Sequence, residues 1–347
     1  MNKNIFILVF LSMLIAQFDW ADNGLPVRQG VHIEWQRTGD VGANGEMIYA
    51  WSDTRYGGRD IYAQKVDVSG NGLWGSEGTL VVSAEGRQED PILVNDGNGG
   101  AYIIWVDYRD EPDNGDIYAQ HINSVGDRTW GDQGTVLTNV PGKQVSPNMA
   151  SDGIGGAFVI WNDLSLSTLG YTYGTHLTTN VNDIIAPGTG VPLISNDSDH
   201  AGVSIETAAD GSAVMVWADD RNIDTSNIDI YTQRIDVNCN TLWSAPEEGG
   251  VPLCMADGVQ EYAKVTYYSQ NASVVAWEDK RANPNSGEIY LQYVDMQGNL
   301  LLTSEGEVIC DHGANQIKPR IKADEMGAYI VWEDSRNGPG DIFVQRH

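Results

Sequence analysis

The sequence predicts an all-β protein, a six-bladed β-propeller of four-stranded antiparallel blades. Three observations lead there. A unit of about 55 residues recurs six times, each unit holds four short β-branched and aromatic runs, and no stretch sustains a helical period.

Each run can be justified in order. The second run of every unit ends in Trp: Met47-Ile-Tyr-Ala-Trp51, Ala101-Tyr-Ile-Ile-Trp105, Ala157-Phe-Val-Ile-Trp161, Ala213-Val-Met-Val-Trp217, Ser273-Val-Val-Ala-Trp277 and Ala328-Tyr-Ile-Val-Trp332. The Trp spacings are 54, 56, 56, 60 and 55. Some seventeen residues earlier the first run opens on Gln88, Gln144, His200, Gln260 or Gln316. Gln29 is assigned to this place in unit one, displaced by an insertion over Thr38–Gly45. Turns such as Asn95-Asp-Gly-Asn-Gly-Gly100 suit tight hairpins between these two runs. The third run is Asp60-Ile-Tyr-Ala-Gln64 and its relatives Asp116–Gln120 and Asp229–Gln233. A Gly-rich turn with Trp74, Trp130 or Trp243 follows, and a Gly-x-x-Val segment such as Gly134-Thr-Val-Leu137 supplies the fourth run.

The chain ends on a third run, Asp341–His347, while Gly24-Leu-Pro-Val27 near the start matches the fourth. The expectation is one domain over residues 24–347, with the N-terminal strand completing the last blade and closing the ring. Closure removes the edges an open sheet would expose.

Charge and the N-terminus bound the function. With 20 Lys+Arg against 48 Asp+Glu, the net charge of −28 argues against nucleic acid and anionic membranes. Lys3 followed by the apolar run Ile5–Ala16 reads as a signal peptide over residues 1–16, with Ala21 as a later cut. No later run is long enough for a membrane span. A secreted or cell-surface monomer is expected.

An odd set of thiols, Cys239, Cys254 and Cys310, allows at most one internal bridge. Cys239–Cys254 is the first choice because its loop is short; three unpaired thiols stay open.

Two rings carry the candidate chemistry. In Trp-x-Asp-x-Arg, residues two apart share a face, and the pairs are Asp53/Arg55, Asp107/Arg109, Asp219/Arg221, Asp279/Arg281 and Asp334/Arg336. Unit three has Ser165 for the Arg, and Tyr171 for the acid that opens the third run elsewhere (Asp60, Asp116, Asp229, Glu288, Asp341). Their joint loss suggests that Arg pairs with that acid as a clasp of the hairpin; an anion-binding ring is the functional alternative. The second ring is Gln29, Gln88, Gln144, His200, Gln260 and Gln316 at the channel mouth, where amides suit hydroxyl-rich ligands. An apolar turn in unit three, with Leu166, Leu169, Tyr171 and Tyr173, is a candidate contact loop. No cofactor is implied. Acid-rich turns such as Asp110–Asp116 would suit calcium but match no twelve-residue loop pattern.

The pattern Trp-x-Asp-x-Arg … Asp-Ile-Tyr-x-Gln … Gly-x-x-Leu-Trp resembles repeats of exported bacterial propeller proteins, which implies a surface-associated module. A looser likeness links Ser124-Val-Gly-Asp-Arg-Thr-Trp130 to the Asp-box of sialidase-type propellers, with its Asp and Gly displaced. No sialidase catalytic residue can be carried over. The expected function is a binding module for carbohydrate or another surface macromolecule. The alternatives are a glycoside hydrolase or polysaccharide lyase using channel-mouth acids and His200, and a structural spacer.

Overall fold

The computed structural model describes residues 27, 34–42, 44–165, 170–194, 198–244, 249–268, 272–324, 326–338 and 340–347. Apart from one 3-10 turn at Val181–Asp183, the regular elements are strands. Three units form separate four-stranded antiparallel meanders. The first holds β1 (Glu34–Val41), β2 (Met47–Asp53), β3 (Asp60–Val66) and β4 (Thr79–Val82); the second β5 (Gln88–Asn95), β6 (Ala101–Asp107), β7 (Asp116–Ile122) and β8 (Thr135–Thr138). The third holds β9 (Gln144–Ser151), β10 (Ala157–Asp163), β11 (Tyr171–Leu177) and β12 (Val191–Ile194).

Units four and five merge into one eight-stranded sheet. Its halves are β13 (His200–Thr207), β14 (Ala213–Asp219), β15 (Asn227–Ile235) and β16 (Val251–Cys254), then β17 (Gly258–Tyr268), β18 (Ala272–Asp279), β19 (Glu288–Asp295) and β20 (Glu307–Cys310). A short parallel pairing, Asn227 with Gly258 and Ile228 with Val259, joins them. The last sheet has three strands, β21 (Gln316–Asp324), β22 (Gly327–Asp334) and β23 (Asp341–Arg346). Five sheets are therefore present, and β23 has no fourth strand beside it among the described residues. The expected signal peptide and most of the expected closing strand lie outside those residues. Val27, the one described residue of that strand, lines a pocket with Gln64, Val66 and Gly72 of the first sheet.

First strands pack on first strands in sequence order, from β1 to β5, β9, β13, β17 and β21. They converge on one space. A cavity of about 260 Å³ is lined by Asp40, Leu93, Met149, Ile205 and Lys322, drawn from five different sheet units. Lys322 of β21 reaches Glu206 of β13 at 3.2 Å across that space.

The core is five apolar clusters sandwiched between neighbouring units, each built on the fully buried middle strands. The repeated Gln of the third strand locks units one, two, four and five, through Gln64, Gln120, Gln233 and Gln292. Gln120 donates to the Gly131 carbonyl at 2.7 Å and accepts from the Trp130 amide at 2.9 Å; Gln64 does the same at Gly75 and Trp74. The turn Trp then ties its unit to the next, Trp74 Nε1 donating to Ser124 O and Trp130 Nε1 to Thr179 O.

Candidate functional site

The conspicuous Trp-x-Asp-x-Arg element is structural, with a different partner from the one expected. Arg109 closes on Asp107, two residues earlier, at 2.6 and 2.9 Å, and not on Asp116 across the hairpin. Asp107 also accepts from the Arg109 amide and, at 2.7 Å, from the Trp105 indole. Arg55, Arg221, Arg281 and Arg336 repeat the pairing with Asp53, Asp219, Asp279 and Asp334. Each guanidinium lies over the aromatic ring of its third strand, 3.7 Å from the Tyr62 centroid and 4.1 Å from those of Tyr118 and Phe343. Burial would raise the Asp219 carboxyl, yet the Arg221 guanidinium and Trp217 indole hold it down at about 2.

The acid opening the third strand sits in register with the hub: Asp116 faces Asp107, and Asp60 faces Asp53. Burial first, then Asp110, Glu111 and Asp107, push the Asp116 carboxyl up to about 6. A raised carboxyl favours the fold below its unfolded value near 4, and this contribution fades as pH climbs through about 6. Asp116→Asn should therefore raise the melting temperature at pH 7.5 by roughly 2 °C, with the gain vanishing by pH 4; scanning calorimetry at the two pH values checks it.

Unit three lacks the clasp. Ser165 takes only the backbone role, its amide donating to Asp163 at 2.7 Å. The Trp161 indole nitrogen is buried with no partner among the described residues. Of the expected contact loop, Leu166 and Leu169 lie outside the described residues. Tyr171 begins β11, and Tyr173 stacks on Trp161 at 6.4 Å.

The amide ring does not present itself to a ligand. Gln88, Gln144, Gln260 and Gln316 are at most 1 % exposed and lie at or near the start of their strands, opposite the aspartates of the Trp-x-Asp element. Gln88, Gln144 and Gln316 donate to loop carbonyls of Glu85, Val140 and Ala314. His200 is buried too, contacting Ser198 and Thr172, and burial lowers its pKa to about 4. A neutral, enclosed imidazole is no channel-mouth acid–base. Gln29 lies outside the described residues, and the register gives its expected place to Glu34, which pairs with Asp53. Thr38–Val41 is thus strand, not insertion.

Cys239 and Cys254 are free thiols. Cys254 pairs with Ile230 near one end of β15, whereas Cys239 lies in the turn beyond Ile235 at the other. Five residues of strand separate those ends by roughly 17 Å, beyond the reach of a disulfide. Among the described residues, no group of three or more His, Cys, Asp or Glu converges to hold a metal ion.

What the first strands do present lies two residues further on. Every first strand bulges there. The bulge residue has left-handed backbone in each: Gln36 (φ 45°), Asp90 (52°), Ser146 (53°), Gly202 (64°), Tyr262 (56°) and Lys318 (54°). Five of the six carry side chains, at a cost of order 1–3 kcal/mol each, and such strain gathers at functional sites. All five side chains are exposed. Three border a cleft of about 570 Å³, with Arg37, Pro91, Tyr108, Lys143 and Pro147. Desolvation, and then Glu89, holds the Asp90 carboxyl above the usual carboxylate range. The Arg87 guanidinium sits 3.6 Å from the Tyr108 ring centroid. A carboxyl with a raised pKa, an aromatic face, a hydroxyl and cations are a set that suits sugar recognition and proton transfer. The signal for this ring was the near-constant offset from Trp, 17 residues back in units one to five and 16 in unit six.

No protein family and no curated protein matches the chain. Solved structures do. A polysaccharide lyase of family PL25, an ulvan lyase bound to -[GlcA(1-4)Rha3S]-, aligns over 92% of this chain and 83% of its own, at 9% identity and a TM-score of 0.54. The α-L-arabinanase of Penicillium chrysogenum, complexed with arabinobiose, aligns over 93% and 97%, at 10% identity and 0.50. A puromycin hydrolase aligns over 93% of this chain and 46% of its own, at 15% identity and 0.52. These likenesses show the fold, all-β and propeller-like.

Proposed function

We propose that the chain is a secreted, six-bladed propeller that binds a polysaccharide across its channel mouth and cleaves it there. The observation that carries this reading is the exposed ring of left-handed bulges bordering the Asp90–Tyr108 cleft. Strain repeated in five of the six units, with side chains turned to solvent, is of the kind that gathers at ligand sites. Six repeats, first strands converging on one space and two carbohydrate-acting structural neighbours support the ring and the substrate class. Asp90 is the group to donate or shuttle the proton, since it is an exposed carboxyl on the cleft and burial and Glu89 raise its pKa toward the range that suits the task.

The test is product release from a panel of neutral and acidic polysaccharides, read as new reducing ends and as unsaturated ends. Turnover of at least one member is expected, with Asp90→Asn slowing it by about a hundredfold or more while binding persists. A second reading, binding without cleavage, rests on Asp90 being the only carboxylate along the cleft among the described residues. Retention of a glycan with no product would select it. Neither retention nor product across the panel would remove both, leaving a structural role.

A further inference from the structure

In this acidic protein nearly every cation is already paired. Eighteen of the 20 Lys and Arg fall among the described residues, since only Lys3 and Arg28 lie outside. Thirteen of those have a carboxylate within 4.0 Å. The five without one are Arg37, Lys143, Lys264, Arg320 and Arg346. Four of these belong to first strands or, for Lys143, to the residue just before one.

Two of them stand at equivalent positions of neighbouring strands. Lys264 and Arg320 each lie four residues after the buried Gln of their unit, and β17 packs directly on β21. Thr38, Ile92, Asn148 and Ser204 occupy the same position in the other units. Lys264 is half-buried, and burial first, then the Arg320 charge, lowers its pKa from the ordinary lysine value. Two like charges held together, one partly out of water and neither with an acid, raise the energy of the free protein. Arg37 and Lys143 form the other pair, both bordering the Asp90 cleft. These four cations have no carboxylate within 4.0 Å among the described residues, in a molecule of net charge −28, and an anion would complete them.

We propose that the first-strand face selects an anionic glycan, one bearing carboxylate or sulfate groups, with Lys264 and Arg320 reading the charge on one side of the channel and Arg37 and Lys143 on the other. This rests on the glycan reading of the same face and adds its charge. Sulfate and carboxylate share the required chemistry, so the probes must separate them.

The experiment measures binding of the full-length protein to polygalacturonate, dextran sulfate, neutral dextran and arabinan, at low and high salt. At least one polyanion should bind about tenfold or more tighter than either neutral chain, with the preference falling as salt rises. Whichever polyanion is preferred names the charged group. Lys264→Ala and Arg320→Ala should each weaken that polyanion by about tenfold and leave neutral-chain binding unchanged. Their melting temperatures should hold or rise, because a repulsion is removed; a purely structural role would lower them. Arg346→Ala, an unpaired cation away from the first strands, should change nothing. Equal binding of neutral arabinan, indifferent to both substitutions, would overturn the inference while leaving the glycan reading standing. Absence of binding to all four probes would overturn both.

Discussion

Asp107→Ala should destabilise the protein by about 3–5 kcal/mol, more than any single change to the arginine it holds. The carboxylate is fully buried and accepts from the Trp105 indole, the Arg109 amide and two guanidinium nitrogens. Removing it strands two buried donors and a half-buried cation. Arg109→Ala leaves Asp107 two of its partners and should cost about 2 kcal/mol. Asp116→Asn should cost nothing at neutral pH. Chemical denaturation of the three variants ranks them, provided the slope of the transition is unchanged. A costly Asp116 variant beside a tolerated Asp107 variant would restore the cross-hairpin clasp that the sequence suggests.

The second large effect falls on a glycine. In Gly-x-x-Val the glycine is left-handed, φ 68° at Gly134, and a Cβ there would stand 2.6 Å from the Ala119 carbonyl oxygen and 2.7 Å from the Trp105 ring. The same Trp contact recurs at Gly78 with Trp51, Gly190 with Trp161, Gly250 with Trp217 and Gly306 with Trp277. The strand-ending Trp therefore fills the space that its own fourth strand leaves open. Gly134→Ala meets backbone strain of about 1–2 kcal/mol together with overpacking of about 1–3 kcal/mol. A loss of about 2–5 kcal/mol is expected by denaturant titration, and a variant as stable as the parent would show that the Trp is free to move aside.

The repeat was readable because its parts report on local physics. Trp, the alternating apolar runs and the Asn/Gly turns each specify one strand or hairpin, and all four runs appear where expected in units two to five, while the first strand of unit one starts at Glu34, beyond the place given to Gln29. The partner of Arg109 was not readable, since Asp107 and Asp116 lie within reach on paper. The joint loss of Arg and acid in unit three fits either choice. The structure explains it through charge: Asp107 and Asp116 face each other across the hairpin, and the guanidinium beside them lowers the cost. Where Ser165 replaces the Arg, a second acid facing Asp163 would be unopposed, and Tyr171 stands there instead.

The proposed site lies two residues beyond the Gln ring for a related reason. Alternation along a regular strand would carry Gln88 and Asp90 to the same face, but a bulge between Glu89 and Ile92 buries the first and exposes the second. Asp90-Pro91, Ser146-Pro147 and Lys318-Pro319 mark the place in three units, yet Pro alone does not announce a left-handed residue before it. That Lys264 and Arg320 meet no carboxylate among the described residues is a property of the packing of β17 on β21, and no local pattern in the chain contains it.

Hydrogen exchange with and without a bound oligosaccharide tests the location of the site most directly. A ligand across the channel mouth should slow exchange at the first-strand bulges, around residues 36–38, 90–92, 145–147, 262–264 and 318–320. The outer strands and the Trp-x-Asp-x-Arg turns should be unchanged. Protection confined to those turns or to β4, β8 and β12, with the bulges exchanging as before, would contradict a first-strand site and return function to the arginine ring.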